Sequence, residues 1–420
     1  MMHKIKGTQD FLDMRLYNFI VQTSRAYLSR ANFSEIATPI MEHTELFVRA
    51  VGQVTDIVHK EMYQIKTRDE DESICLRPEI TAPIARAFVE NNIQQTPWKV
   101  FTHGPSFRYE RPQKGRFRQF HQVSIEIIGA SSIAHDALFI KQLDTIFSSG
   151  FKIEDYALLI NFLGTPSDRV HYKKIVQVFL TAHTEQLCTL CIQRKDTNTL
   201  RIFDCKQESC QALYQQAPKI TEHLSPESEQ EWINLQTMLN VLGVSYTVKS
   251  SLVRGLDYYN KTVFEFTSPH LGAQSTFCGG GRYDHLISAI GGKEDQPSVG
   301  TAFGIERLIL LLEPIADKLG LEQTKELTLV IPFEQEQVSS SLLIVEQLQQ
   351  AGLVADILAE ESSLKTKLRK ANRLGATYIV LLGSNELAAG TATVKNMITG
   401  SEKTISLTSI ASSIKHHEIK

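Results

Sequence analysis

Five basic residues, Arg108, Arg111, Lys114, Arg116 and Arg118, fall within eleven consecutive positions. Pro112 and Gly115 lie among them and force a turn, and the sequence on either side reads as strand. A strand, a cationic loop and a return strand can hold several phosphate oxygens at once. Guanidinium groups suit that task because their fixed fork donates two parallel hydrogen bonds to a phosphate. The return strand has unlike faces, since side chains alternate along a strand. Phe120, Gln122, Ser124 and Glu126 share one face; His121, Val123, Ile125 and Ile127 share the other. The apolar face packs on a core. The polar face is either a solvated sheet face or the floor of a pocket for a small cationic or zwitterionic ligand beside a nucleotide phosphate.

Three more segments carry unusual chemistry. Arg254-Gly255-Leu256-Asp257-Tyr258-Tyr259-Asn260 sets a cation, a carboxylate and two tyrosines before an apolar strand. Gly279-Gly280-Gly281-Arg282-Tyr283-Asp284 is either a tight turn or a place where backbone approaches a ligand closely. Gly300 to Leu308 places Glu306 and Arg307 inside an apolar run that continues to Leu312. A buried charge is costly unless paired, so Arg307 should reach a carboxylate such as Glu306 or a ligand phosphate.

Two further patterns are weaker. Cys188, Cys191, Cys205 and Cys210 could bind Zn²⁺ tetrahedrally or remain reduced thiols. Lys365, Lys367, Arg369, Lys370 and Arg373 lie on a predicted helix, as a solvated face or a phosphate-binding patch.

The elements that must position these residues follow from periodicity. Residues 11–31 read as an amphipathic helix carrying Leu12, Leu16, Phe19, Ile20 and Tyr27. Ile36 to Ile40 reads as a strand, with Pro39 at an edge or bulge. Met62–Lys66 and Ser73–Arg77 read as a hairpin around the acidic tip Asp69 to Glu72, and a helix follows through Ile84, Phe88 and Val89. Residues about 167–248 read as a charged, helical insertion, with Ser225-Pro226 as an N-cap and N1 proline. Strand-like sequence returns at Val253 and runs through Tyr258 and Thr262–Phe266 to Cys278. Beyond a boundary near Gly320 to Lys325, strand and helix patterns alternate as in an α/β domain. Leu342, Val345 and Leu348 mark one of its helices.

Composition bounds the possibilities. Of 420 residues, 42% are hydrophobic and 22% charged, the balance of a folded chain of two or three domains. A net charge of −3 gives no overall pull towards nucleic acid, so any RNA must be held by local patches. No apolar run spans a bilayer, and the first ten residues lack the apolar core of a secretory signal. No membrane association and a cytoplasmic location are expected, with the six cysteines reduced.

The order of the cationic loop, the Arg254 motif, the glycine run and the Gly300 segment resembles class II aminoacyl-tRNA synthetases, and within them the histidyl-tRNA synthetase family. The amino-terminal helix with the Pro39 segment is similar to the first class motif, at the dimer interface. Arg108 to Glu126 resembles the second, and Gly300 to Leu308 the third. The resemblance implies an α+β catalytic domain (1–322) on a mixed, largely antiparallel sheet. A helical insertion interrupts it, and a C-terminal α/β anticodon-binding-type domain (325–420) follows. It implies L-histidine, ATP with Mg²⁺, and tRNA(His) as partners of a homodimer. Arg108 would hold the α-phosphate, and Arg116 and Arg307 the γ-phosphate of ATP. Arg254 would be the catalytic cation between the α-phosphate and the histidine carboxylate. Glu79, Thr81 and Gln122 would meet the amino group, and Glu126 and Tyr259 the imidazole. Tyr258 and Tyr283 would line the same pocket. In this reading the basic helix contacts tRNA near the anticodon. Ile80 and His285 stand where the family pattern has glycine; the first puts the local backbone at Glu79 and Thr81 in question, and the second reads as a surface helix residue.

Two other readings share this frame. A non-catalytic synthetase-like regulatory subunit of histidine biosynthesis has the same core without the anticodon domain. Synthetases for glycine, proline or threonine share a similar C-terminal domain, but Glu126 with two tyrosines favours histidine.

Overall fold

The computed structural model describes residues 2–419 except 53, 54, 56, 69–71, 198, 206, 255, 257 and 322–325. The acidic tip Asp69, Glu70 and Asp71, positions Gly255 and Asp257, and part of the expected boundary lie outside the described residues. The chain forms two compact units, Met1–Leu321 and Glu322–Lys420. No described helix is long and apolar enough to cross a membrane.

The first unit contains strands β1 (Ser34–Glu35), β2 (Met41–His43), β3 (Tyr63–Ile65), β4 (Ile74–Leu76), β5 (Trp98–Phe107), β6 (Gln119–Ile128), β7 (Ala157–Phe162), β8 (Thr247–Val248), β9 (Asn260–Thr267), β10 (Thr276–Arg282) and β11 (Ser298–Gly304). Among the described residues eight of them form one sheet in the order β1-β5-β6-β11-β10-β9-β7-β8. The outer pairs β1/β5 and β7/β8 are parallel, and every inner pair is antiparallel. The sheet is therefore mixed and largely antiparallel, as a class II synthetase-like fold requires. A small sheet β2-β4-β3 stands beside it.

Alternation along β6 divides the sheet. Val123, Ile125 and Ile127 join a core with Ile20 and Leu28 of helix Arg15–Arg30, Phe139 and Leu143 of helix Ile133–Thr145, and Trp232, Leu235 and Leu239 of helix Pro226–Val241. The last of these helices comes from the expected insertion, yet its apolar face belongs to the central core. A second cluster joins Val100, Ile128 and Val263 to Ile84 and Phe88 of helix Thr81–Glu90, to its N-cap Ile80, and to Tyr258, Tyr259 and Tyr283.

Local chemistry explains where helices begin. Thr165 accepts from the Asp168 N–H at 3.3 Å while the Asp168 carboxylate accepts from the Thr165 N–H at 2.8 Å, a reciprocal capping box before Pro166. Ser225 caps the helix that opens with Pro226, as its sequence predicts. Asp168 also accepts from the Ser225 N–H at 2.8 Å and the Ser228 hydroxyl at 2.6 Å. One carboxylate thus joins the start of the insertion to its last helix.

Several expectations need correction. The first helix starts at Arg15, and Leu12 is almost fully exposed. Ile36 to Ile40 is not strand; pairing falls instead on Ser34–Glu35 and Met41–His43, because Pro39 has no N–H to give a ladder. Val253 and Tyr258 precede the strand, which begins at Asn260. The triple glycine lies within β10 and is not a turn.

The second unit holds β12 (Leu327–Pro332), β13 (Val354–Ile357), β14 (Ala376–Leu382), β15 (Thr391–Asn396) and β16 (Glu402–Ser406) in the order β13-β12-β14-β15-β16. Helices Val338–Gln350 and Ile410–Lys415 pack on one face, and Leu364–Arg373 packs on the other. Helix Val338–Gln350 buries Ser341, Ile344, Val345 and Leu348, so Leu342 is exposed, one position off the inward stripe. Lys367 is not part of a surface patch: it is buried and its Nζ donates to the Pro332 carbonyl at 2.7 Å. Lys365, Arg369, Lys370 and Arg373 remain exposed.

Burial alone would raise the Asp168 pKa, but hydrogen bonds from Ser228, Thr165 and Ser225 outweigh it and hold the carboxyl at about 2. A depressed folded pKa means stability is present above the ordinary value of 3.8 and lost as pH falls towards 2. Asp168→Ala should cost about 2–4 kcal/mol in urea unfolding at pH 7, and the deficit should shrink as acid protonates the wild-type group.

Candidate active site

A cleft opens over one end of β6, β10 and β11. Arg108, Arg116, Arg254, Arg307, Glu79, Thr81, Gln122, Tyr258 and Tyr259, all chosen from sequence, line it together. The rest of the wall includes Glu110, Phe120, Leu256, Gly279 and Glu306.

Arg254 reaches the cleft because β10 carries no side chain beneath it. A Cβ on Gly279 would overlap the Arg254 guanidinium, so only glycine leaves that space. Glu265 on β9, opposite Gly279 in register, forms an ion pair with Arg254 and accepts from the Thr276 hydroxyl at 2.9 Å. The guanidinium lies 5.6 Å from the centre of the Tyr259 ring. Burial works against its charge, but Glu265 reverses this and the pKa is raised.

Arg108 and Arg307 have backbone tethers, and Arg116 has a carboxylate. Arg108 Nε donates to the Pro78 carbonyl at 2.9 Å, and its guanidinium lies 5.4 Å from the Phe120 ring centre. Arg307 donates through Nε to the Gly115 carbonyl at 3.0 Å and through Nη1 to the Thr276 carbonyl, tying the cationic loop to β10. Arg116 pairs with Glu110, whose other oxygen lies 3.9 Å from Arg108. Burial, then repulsion from Arg116 and Arg108, pushes the Arg307 pKa down to about 10. Burial lowers Arg108 as well. Crowded, partly desolvated cations of this kind gain most from a multiply charged anion.

Other groups of the cleft suit an ammonium and a polar ring. Glu79 accepts from the N–H groups of Thr81 and Ala82, both at 2.8 Å, across the start of a helix whose dipole favours its charge. Ile80 fits there without strain at φ −114° and ψ −14°, fully buried, so the glycine of the family pattern is not needed for this backbone path.

Glu126 is fully buried, which excludes the solvated-face alternative. It lies opposite Gly300 on β11, and a Cβ there would overlap its carboxylate. Thr81 donates to Oε1 at 2.7 Å and the Tyr283 hydroxyl donates to Oε2. Neither Glu126 nor Tyr283 is on the cleft wall. Both lie a layer behind it; the Tyr283 ring stacks edge-on against Tyr258 at 5.7 Å. Burial raises the Glu126 pKa to about 8, with the neighbouring Glu79 adding to the shift and Tyr283 and Thr81 opposing it.

One pairing changes, and two neighbouring residues find their places. Glu306 does not pair with Arg307: it accepts from the His121 N–H at 2.9 Å and faces His121 Nδ1 at 2.9 Å. Arg282 is absent from the cleft; it bonds the buried Asp136, the Ala130 carbonyl and Asp284. His285 is exposed just before a short helix and pairs with Asp295 at 2.6 Å. Glu110 and Glu265 were missed as partners of the arginines. Glu265 had a signal, as the lone charge in Val263-Phe264-Glu265-Phe266.

The four insertion cysteines also converge, with all Sγ atoms within 4.8 Å of one another.

The chain is similar to known proteins along nearly its whole length. The family profile described as "Histidyl-tRNA synthetase" matches residues 13–308, and "Anticodon binding domain" matches 328–417. The chain is 41% identical over 410 residues to "Histidine--tRNA ligase" of Maridesulfovibrio salexigens, covering 95% of this chain and 96% of that one. An apo histidyl-tRNA synthetase structure from S. aureus superposes with a TM-score of 0.80 at 31% identity, covering 99% of this chain and 100% of that one. A Bacillus halodurans structure described as an ATP phosphoribosyltransferase regulatory subunit/histidyl-tRNA synthetase shares the fold, with a TM-score of 0.64 at 18% identity over 91% of this chain and 99% of that one.

The raised Glu126 pKa has a testable sign. Between the ordinary carboxyl value of 4.5 and about 8, the folded chain binds a proton that the unfolded chain releases. Stability must therefore fall as pH rises through this window. Glu126→Gln removes that dependence. In urea unfolding the variant should gain on wild type from pH 5 to pH 8, by an amount on the order of a few kcal/mol; a difference independent of pH would mean that the carboxyl is ionised throughout.

Proposed function

The chain belongs to the histidyl-tRNA synthetase family, and on that premise we propose how its cleft carries out the reaction. It is an ATP-dependent ligase that activates L-histidine to histidyl-adenylate and pyrophosphate, then transfers the histidyl group to the 3′ end of tRNA(His). The observation that carries the site assignment is the gathering of four arginines and an acid–tyrosine pocket in one cleft.

In this reading the histidine carboxylate attacks the α-phosphorus and pyrophosphate leaves. No covalent enzyme intermediate is required, so the residues act by position and charge. Arg254 and Arg108 neutralise the oxygens of the α-phosphate as charge builds there. Arg116 and Arg307 hold the γ-phosphate, with Arg116 exchanging Glu110 for it. Glu79, Thr81 and Gln122 receive the ammonium. Tyr259 meets the imidazole from the cleft wall, and Glu126 acts on it from a layer behind, through Thr81, which lines the cleft and donates to its carboxyl. Tyr258 and Tyr283 buttress that pocket. Mg²⁺ entering with ATP would neutralise phosphate charge. Glu265 and Glu306 are engaged by Arg254 and His121, so the ion would sit chiefly on phosphate oxygens and water.

We assign the unit 325–420 to anticodon binding, with Lys365, Arg369, Lys370 and Arg373 meeting tRNA phosphates in a salt-dependent way. A homodimer would use the first-motif region, where Leu12, Ile40 and Met41 are exposed. Zn²⁺ at Cys188, Cys191, Cys205 and Cys210 is the second metal of this reading. A cytoplasmic location suits six free cysteines. Retention of the arginines and of the anticodon-type unit favours the enzyme over the regulatory subunit.

Histidine-dependent ATP–pyrophosphate exchange tests the assignment. Arg254→Ala should lower the exchange turnover by roughly 10²–10³-fold. Gly279→Ala, which displaces the same guanidinium, should also lower it. A folded, histidine-binding wild type without exchange would support the regulatory reading; exchange driven by another amino acid would overturn the specificity assigned to Glu126.

A further inference from the structure

The insertion contains a cluster that the synthetase chemistry does not use. Cys188 and Cys191 flank the start of helix Thr189–Thr197, Cys205 follows the turn Thr199–Asp204, and Cys210 lies in helix Glu208–Tyr214. Three separate segments thus bring four sulfurs within 4.8 Å of one another. Cys188 and Cys205 are 3.8 Å apart at sulfur. A tetrahedron with metal–sulfur bonds of about 2.3 Å has edges of about 3.8 Å. A disulfide is much shorter, and a polynuclear iron–sulfur cluster would hold its cysteines further apart. Two main-chain donors already point at sulfur: Cys188 N–H towards Cys210 at 3.3 Å, and Gln207 N–H towards Cys205 at 3.5 Å. Such bonds offset thiolate charge around a metal.

The surrounding structure shows what a metal would contribute. The three segments are short, and helices of that length are marginal alone. Cys191, Cys205 and Cys210 are themselves among the buried positions that hold the segments together, alongside Leu187, Ile202 and Leu213. Below them the insertion is closed independently. Asp168 bonds Ser225 and Ser228, and the Tyr172 hydroxyl donates to the Pro218 carbonyl at 2.7 Å.

We infer that one Zn²⁺ binds the four cysteines as thiolates and folds the tip of the insertion, residues 187–214, as a unit whose order depends on metal while the catalytic cleft does not. Binding releases the thiol protons to solvent, so ligation free energy becomes folding free energy for this segment. The assignment of zinc to these residues rests on the reading above; its role as the folding element of the tip, separable from activation chemistry, goes beyond it.

The test uses the full chain, expressed with added zinc and purified without chelating resin. Elemental analysis should find one zinc per chain. Replacement by Co²⁺ should give the intense visible absorption of a tetrahedral tetrathiolate. Cys205→Ser with Cys210→Ser should lose both signals. After a mercurial reagent and chelator remove the metal, limited trypsin digestion should open new cleavages within 187–214, while histidine-dependent exchange persists. Absence of zinc from wild type, iron in its place, or an unchanged digestion pattern after removal would overturn the inference, as would loss of exchange together with zinc from an enzyme active before removal. Failure of exchange in zinc-loaded chain would count against the synthetase reading alone. The wild-type metal content needs no variant to fold.

Discussion

The site depends on side chains lying flat across a sheet whose neighbouring positions have no side chains. Glu126 occupies the space above Gly300, and Arg254 the space above Gly279. These glycines are on adjacent antiparallel strands, and the same register sets Glu265 across from Gly279. Shifting β11 by one residue would put Val299 or Thr301 in the place of Gly300, and shifting β6 would turn Glu126 towards the opposite face. The register of the central sheet is therefore a condition of the charge arrangement, and the apolar face of β6, locked against three helices, fixes it.

The cleft keeps its charges by unequal compensation. Arg254 and Glu265 form a close pair, whereas Arg108, Arg116 and Arg307 share Glu110 and backbone carbonyls. Three cations with less than their full complement of carboxylate press on one another and favour an incoming polyanion. Glu126 is the reverse case: a carboxyl whose burial favours its proton, held by two hydroxyl donors behind the tyrosines. Opposite electrostatic biases within one cleft give a zwitterion beside a nucleotide a defined orientation.

The insertion follows a separate logic. Its base is closed by Asp168 and joined to the body by the core face of helix Pro226–Val241, and its tip is gathered on four sulfurs. This division lets the tip be ordered by ligation while the base is ordered by burial and capping.

The sequence by itself determined much of the site. The cationic loop, the alternation of β6 and the Ser225-Pro226 cap were legible because their signals are local: turn residues, a two-residue period and N-cap chemistry; among the nine lining residues, Glu79 and Thr81 came only from the family resemblance. The Ile36–Ile40 strand failed because apolar character does not determine which backbone groups find partners. Lys367 was read as surface because the sequence does not reveal that Pro332 offers it a carbonyl. Tertiary structure alone decided that Glu306 serves His121, that Arg282 serves Asp136, that Glu265 holds Arg254, and that Glu126 and Tyr283 lie behind the cleft wall. These choices are made between residues far apart in the chain, where strand order and register set distance, and burial makes an unpaired charge too costly to leave.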